Sequence, residues 1–226
     1  MALSRVVEMT TTALHQILAR IRAAAQAAHR DADSVTLLAV SKNQSLEKIR
    51  NAFAAGQMRF AENYVQEAME KQGALRDLSI EWHFIGNIQS NKIKLIATHF
   101  DWVHSVNCFD IAQRLNNARD ATCPLNICIE VNIDNEETKS GVSSQDVFLL
   151  AEKIKSLPNL ALRGLMVIPQ KNHVDAFEKT AALQQELIRS GFLLDTLSMG
   201  MSADFEAAIA AGSTMVRIGT AIFGER

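Results

Sequence analysis

From residue 35 onward, short apolar runs alternate with longer stretches of helical spacing. The runs cover 35–41, 58–61, 82–85, 101–105, 125–133, 162–168, 193–199 and 214–219. Each of the first seven is followed by a helical pattern, as at 45–55, 64–75, 147–156 and 204–211. Short apolar runs flanked by amphipathic stretches read as strands of a parallel sheet whose crossovers are helices. Ahead of them lies an Ala-rich stretch, 2–30, with Ala13, Ile17, Leu18, Ile21 and Ala24 at helical spacing. It predicts a further helix before the repeating part. Punctuation agrees: Gly56 and Gly212 stand just past predicted helices, where a left-handed residue is needed. Asn63 with Gln66 resembles a capping box, and Ser202 can cap a helix opening at Ala203.

Eight strands alternating with helices in 226 residues predict an α/β fold, a (β/α)8 TIM-type barrel. An open doubly wound sheet of this length would use fewer strands. With three prolines and no Gly/Ser-rich linker, residues 1–226 read as a single domain with an extra N-terminal helix.

Composition narrows the partners. Lys and Arg number 23 against 25 Asp and Glu, a formal charge of −2, and aromatic residues make up 6%. Neither a basic stripe nor a stacking platform for nucleic acid is visible. Cys108, Cys123 and Cys128 are an odd set without CxxC spacing, which suits a reducing compartment. The opening Met1 to Met9 lacks the apolar core of a signal peptide, and no run approaches the roughly 18 apolar residues of a membrane span. A cytoplasmic location is expected. The six histidines show no HExxH pattern, so no metal is expected. His83 reads as a hydrogen-bonded core histidine, and Met166, Met199, Met201 and Met215 as apolar filler around the barrel top.

Barrels of this kind build their sites at the C-terminal ends of the strands. On the first strand, alternation places Leu38, Val40 and Lys42 on one face. If that face is the barrel interior, Lys42 stands at the mouth, where lost solvent makes an amine nucleophilic toward a carbonyl. Otherwise Lys42 merely opens a solvated loop. The last two strands end in Met199-Gly200-Met201-Ser202 and Arg217-Ile218-Gly219-Thr220. Barrels commonly seat a phosphate there, with glycines admitting the anion and hydroxyls donating to it; the same residues would also serve as turns and caps. Arg217 lies mid-strand, so it contacts a ligand or pairs with an inward carboxylate such as Glu130. A Schiff-base lysine, a phosphate cradle and an arginine together describe a pyridoxal 5′-phosphate site.

Several blocks make the sequence recognisable: Ala39-Val-Ser-Lys42, Ala61-Glu-Asn-Tyr-Val-Gln66, Trp82-His-Phe-Ile-Gly86, Gln89-Ser-Asn-Lys92, Arg163-Gly-Leu-Met166, Met199-Gly-Met-Ser202 and the stretch from Ala208 to Gly224. The chain resembles the pyridoxal phosphate homeostasis proteins, relatives of the alanine racemase barrel domain. The resemblance implies that Lys42 carries the cofactor as a Schiff base. It further implies that Ser202, Gly219 and Thr220 hold the phosphate, that Arg217 faces the pyridine nitrogen and that Asn63 lies beside the cofactor. Lys139 matches a lysine implicated in cofactor handling, or is a solvated loop residue. Many members carry glycine where this chain has Ala61, and a second lysine where it has Gln44.

The implied role is a non-catalytic carrier that buffers the cofactor and delivers it to apo-enzymes. Arg226 follows Gly219 by seven residues, which leaves no room for the second domain of a racemase, so a monomer is expected. The alternative is a low-activity amino-acid racemase using the same cofactor; a third reading is a Schiff-base aldolase.

Overall fold

The structure, a computed structural model, describes residues 2–136, 138–170, 173 and 175–224, with side chains from residue 9 onward. Met1 and Arg226, which entered the reading of the chain's two ends, lie outside these.

The strands are β1 (Thr36–Val40), β2 (Arg59–Glu62), β3 (Glu81–Phe84), β4 (Trp102–Val106), β5 (Leu125–Asn132), β6 (Val142–Ser143), β7 (Leu160–Val167), β8 (Thr196–Ser198) and β9 (Met215–Ile218). All pairings are parallel. Eight strands close in the order β1-β2-β3-β4-β5-β7-β8-β9 and back to β1, while the two-residue β6 adds only to the end of β5. The (β/α)8 barrel expected from the apolar runs is therefore the fold.

The helices are α1 (Ala2–Ala27), α2 (Leu46–Ala54), α3 (Val65–Ala74), α4 (Ile93–His99), α5 (Phe109–Ala118), α6 (Val147–Ile154), α7 (Asp175–Arg189), α8 (Phe205–Ala210) and α9 (Thr220–Phe223). Alternation along each strand divides the buried residues in two. Leu37, Ala39, Val103, Ile127 and Leu165 pack outward beneath the helices in one large cluster. Leu38 joins Val40, Ala61, Ile85 and Met215 in a separate cluster inside the barrel, and Trp102, Cys128 and Met166 form another. The inward face read for Leu38 and Val40 is thus the observed one. On α1, Leu14, Ile17, Ile21 and Ala25 are buried at spacings of three and four, and the helix packs on α2, α8 and α9. Arg30 ties its end to the barrel, donating to Ile209 O at 3.0 Å and Ser213 O at 2.7 Å.

Gly56 and Gly212 take positive φ after α2 and α8, as expected of left-handed helix ends. Other local expectations differ. The strand expected over 193–199 shortens to β8, because Phe192 and Leu194 alternate with exposed Leu193 outside the sheet. Helix α3 opens after Tyr64 with no side-chain cap, so Asn63 does not form the expected capping box. Helix α8 begins two residues later than expected, and Ser202 lies in the preceding turn rather than at the cap. There the Asp204 carboxylate accepts from Met201 N at 2.6 Å. Met201 is exposed and not filler, whereas Met166 and Met199 are buried. Met215 is buried too, but as the first residue of β9 it lies at the N-terminal end of the barrel and not at its top.

Candidate functional site

The C-terminal mouth brings the tops of β8, β9, β1 and β2 together as neighbours. Lys42 stands half-buried on the turn after β1, between Ser41 and Asn43, both of which are held by polar groups of β2 and α3. A buried ion cluster does the holding. Lys71 on α3 donates to Ser41 O at 2.6 Å, Glu62 Oε1 at 2.7 Å and Glu67 Oε1 at 2.6 Å. Ser41 Oγ donates to Glu62 Oε1 at 2.6 Å, and Asn43 N to Glu67 Oε1 at 2.6 Å. Burial pushes the Glu62 carboxyl up, while the hydrogen bonds from Lys71 and Ser41 pull it back. Asn43 adopts φ +59°, a left-handed conformation that asparagine tolerates. Gln44 Oε1 accepts from Lys48 Nζ at 2.9 Å.

Across the β1–β9 seam, Leu38 is in register with Arg217 and Ala39 with Ile218. Gly219 then passes so close to β1 that a Cβ would stand 3.0 Å from Val40 O. It opens α9, with Thr220 exposed at the first position. On the other side Arg217 N donates to Gly200 O at 3.0 Å, which ties the base of the Gly200–Ser202 turn to β9. Gly200 needs its φ of +95°, and a Cβ there would lie 2.6 Å from Ala208 Cβ. Lys42, Ser202, Gly219 and Thr220 thus sit on three adjacent strand ends, with Asn63 on the fourth, directly after β2.

Arg217 lies deeper, only 4% exposed. It does not form the ion pair with Glu130 considered above. Its Nη1 donates to Ser198 O at 2.6 Å and Ser198 Oγ at 2.8 Å, and its Nη2 to Val167 O at 3.0 Å. Burial lowers its pKa to about 10, which still leaves it a cation at neutral pH. A guanidinium carries more N–H donors than these three contacts consume.

Beside these residues a cavity of about 490 Å³ is lined by Asn63, Tyr64, Gly86, Asn87, Glu130 and Ile168, among others. Of the six expected site residues, Asn63 alone lines it. Two carboxyl or amide oxygens there, Asn63 Oδ1 and Glu130 Oε2, are buried without a hydrogen-bond partner. Burial raises the Glu130 carboxyl against the pull of Arg217. A second cavity of about 250 Å³ shares Glu130 and is bordered by Lys139, whose Nζ lies 3.0 Å from Glu136 Oε2. Sequence reasoning treated Glu130 only as a partner for Arg217. Its place in an alternating inward set on β5 was the available signal for a cavity wall.

Beneath Arg217 the barrel interior is polar. His83 and His104 are fully buried, and burial lowers the pKa of both, most strongly His104, where the charges of His83 and Arg217 add to the effect. His83 is the hydrogen-bonded core histidine expected. Because the folded state disfavours their protonation, stability is fully present above the unfolded histidine value near 6.5 and is lost as pH falls below it. Each ring is expected to remove up to about 1.4 kcal/mol per pH unit there. Urea midpoints between pH 7 and 5 check this, and a flat profile would mean that both rings protonate within the fold.

Comparison with known proteins agrees with this geometry. Residues 13–226 match the profile of the alanine racemase N-terminal domain. The chain belongs to that family. Within the alanine racemase N-terminal domain family, it is 54% identical to the pyridoxal phosphate homeostasis protein of Pseudomonas aeruginosa over 214 residues, 93% of each chain. It is 48% identical to the protein of the same name from Escherichia coli K12, covering 94% of this chain and 95% of that one. Among solved structures, PipY of Synechococcus elongatus with PLP bound superposes with a TM-score of 0.78 at 38% identity, covering 84% of this chain and 93% of PipY. The alanine racemase of Corynebacterium glutamicum has a TM-score of 0.73 at 17% identity, a likeness of fold.

Proposed function

We propose that this barrel binds pyridoxal 5′-phosphate on the amine of Lys42 and serves in its intracellular homeostasis, buffering the cofactor and passing it on without turning over a substrate. Support comes first from relatives at 48–54% identity that are named pyridoxal phosphate homeostasis proteins, and from PipY with PLP bound. The observation in this chain that carries the reading is the convergence of Lys42, the Gly200–Ser202 turn and Gly219 on adjacent strand ends. The residues fit the group. Asn63 Oδ1 is a buried acceptor lacking a partner, and Gly219, packed so close to Val40 that a Cβ would crowd it, brings its strand end beside that of Lys42.

When bound, the cofactor supplies an aldehyde and a ring able to withdraw electrons. Lys42 would attach it, its turn held by the ion cluster that bonds Ser41 and Asn43. Ser202, Gly219 and Thr220 would donate to the phosphate, and Asn63 would flank the ring. Arg217, a cation through the neutral range, would donate to the ring nitrogen and leave it unprotonated. That arrangement weakens the ring as an electron sink and favours carriage over carbanion chemistry. The same reading includes a monomeric protein in the cytoplasm and apo-enzymes as recipients.

Absorption spectra of wild type and Lys42→Ala after loading with the cofactor test the attachment. A visible band in wild type, lost in the variant, is expected; an equal band in both would refute the role of Lys42. Incubation with L-alanine in deuterated water tests the carrier reading. Exchange at the α-carbon should not exceed that of free cofactor, and sustained excess exchange would establish a racemase instead.

A further inference from the structure

An unbroken file of hydrogen bonds runs along the barrel interior from its floor to Arg217. Glu81 opens β3 at the N-terminal end of the barrel, and its Oε1 lies 2.8 Å from His83 Nε2. His83 Nδ1 is 2.9 Å from His104 Nε2, and His104 Nδ1 is 2.9 Å from Ser198 Oγ. Ser198 Oγ accepts from Arg217 Nη1 at 2.8 Å. His83, His104, Ser198 and Arg217 are all buried, the first three completely. Glu81 is half-buried and lines a floor cavity of about 490 Å³ together with Arg59, Trp102, Asn126, Arg163 and Asp195.

The chemistry of the two ends dictates the polarity of everything between them. Arginine only donates, so Ser198 Oγ spends one lone pair on Nη1. Its second lone pair could still accept, and it is the carboxylate at the other end of the file that turns the hydroxyl proton to His104 Nδ1. His104 then carries hydrogen on Nε2 and donates to His83 Nδ1. His83 in turn carries hydrogen on Nε2 and donates to Glu81, whose carboxylate only accepts. The reverse polarity would point His83 Nε2, as an acceptor, at an ionised carboxylate. Two neutral rings between a fixed cation and a fixed anion therefore have one consistent arrangement. Lowered histidine pKa values, and a Glu81 carboxyl lowered by its bond to His83, accord with it.

We propose that Glu81, His83, His104 and Ser198 are positioning residues that, as a polarised chain from the barrel floor, orient the Arg217 guanidinium toward the cofactor ring. The inference rests on Arg217 as the ring-nitrogen donor. Ser198 grips Nη1 through both its carbonyl and its hydroxyl, and the hydroxyl is aligned only while His104 Nδ1 is bare. Loss of the carboxylate at the floor frees His83 to exchange tautomers, and the exchange propagates to the hydroxyl beneath Arg217. The chain also carries the electrostatics of the floor cavity, where Arg59 Nε lies 3.4 Å from Glu81 Oε1, into the mouth.

Nitrogen-15 NMR of the histidine rings in the cofactor-free protein tests the polarity directly. Both His83 and His104 should be neutral with hydrogen on Nε2 at pH 7; an Nδ1–H form or an imidazolium at either ring would overturn the proposal. Glu81→Leu should mix the tautomers, shift the Arg217 guanidinium resonances, move the visible band of the loaded protein and weaken cofactor binding about tenfold, the effect of one ordinary hydrogen bond. Glu81→Gln keeps an acceptor at the same place and should restore tautomers and band. If wild type binds the cofactor but Glu81→Leu leaves the tautomers, resonances and band unchanged, the chain does not position Arg217. If wild type shows no visible band at all, the cofactor reading fails while the tautomer measurement still decides the chain.

Discussion

Replacing Lys71 with methionine should lower the unfolding free energy by about 3–5 kcal/mol, the usual cost of stripping one partner from a buried ion pair. Lys71 is 5% exposed and Glu62 fully buried, so water cannot replace the ammonium. Its three acceptors, Ser41 O, Glu62 Oε1 and Glu67 Oε1, would lose their one cationic donor, keeping only the neutral donors Gln44 N, Ser41 Oγ and Asn43 N respectively. Glu62 already has one oxygen, Oε2, without a partner, and burial already pushes that carboxyl up. With the lysine gone the cheapest response is for Glu62 to take up a proton, which limits the loss and makes it depend on pH. A raised carboxyl favours the folded state below the unfolded glutamate value near 4.3 and loses that advantage as pH rises through the folded value. The deficit of Lys71→Met should therefore shrink toward acid. Lys71→Met combined with Glu62→Gln should recover part of it, since the buried charge is then absent. Urea denaturation at pH 7 and 5 measures all three. A loss below about 1 kcal/mol at pH 7 would show the cluster to be hydrated and no different from a surface pair.

That cluster also shows where the sequence stops being readable. Glu67 and Lys71 stand at i and i+4 on a helix, the usual signature of a solvated pair. Only the approach of β1 and β2 makes them a buried clamp on the Lys42 turn, because Glu62 comes from the strand before the helix. His83 and His104 tell the same story. They lie on adjacent strands, but whether two inward residues meet depends on stagger, and His83 is in register with Trp102 instead. What was legible had a period. Leu38 and Val40 faced inward as their alternation said, and the glycines ending α2 and α8 took positive φ as helix ends require. A period of two also misled, since Phe192, Leu193 and Leu194 alternate in burial while lying in a loop ahead of β8. Cap signals at Asn63 and Ser202 failed for another reason. Both residues follow strand ends at the mouth, where the turn is shaped by neighbouring strands and a side chain free of capping is available to a ligand.

Gly86→Ala should cost about 3 kcal/mol of stability and weaken cofactor binding at least tenfold. Gly86 follows β3 and lines the mouth cavity. A Cβ built on it would lie 2.0 Å from Asn63 O and 2.7 Å from Asn63 C. These are backbone atoms directly after β2, so no rotamer change relieves the overlap and one of the two chains must move by more than an ångström. Gly86 is poorly placed to yield, because its carbonyl accepts from the buried Ser105 Oγ at 2.6 Å. Asn63 would have to give, and it lies one residue past Glu62 and its tie to Lys71. The displacement would thus be felt both beside the cofactor and in the clamp on the Lys42 turn. Stability and affinity should fall together in Gly86→Ala. Gly73→Ala is the control: it adds the same methyl on α3 where nothing lies within 4 Å, and there alanine should stabilise slightly by its helix propensity. Urea midpoints and fluorescence titration with the cofactor compare the two. Wild-type affinity in Gly86→Ala would mean that Asn63 and the cavity it lines lie outside the binding site.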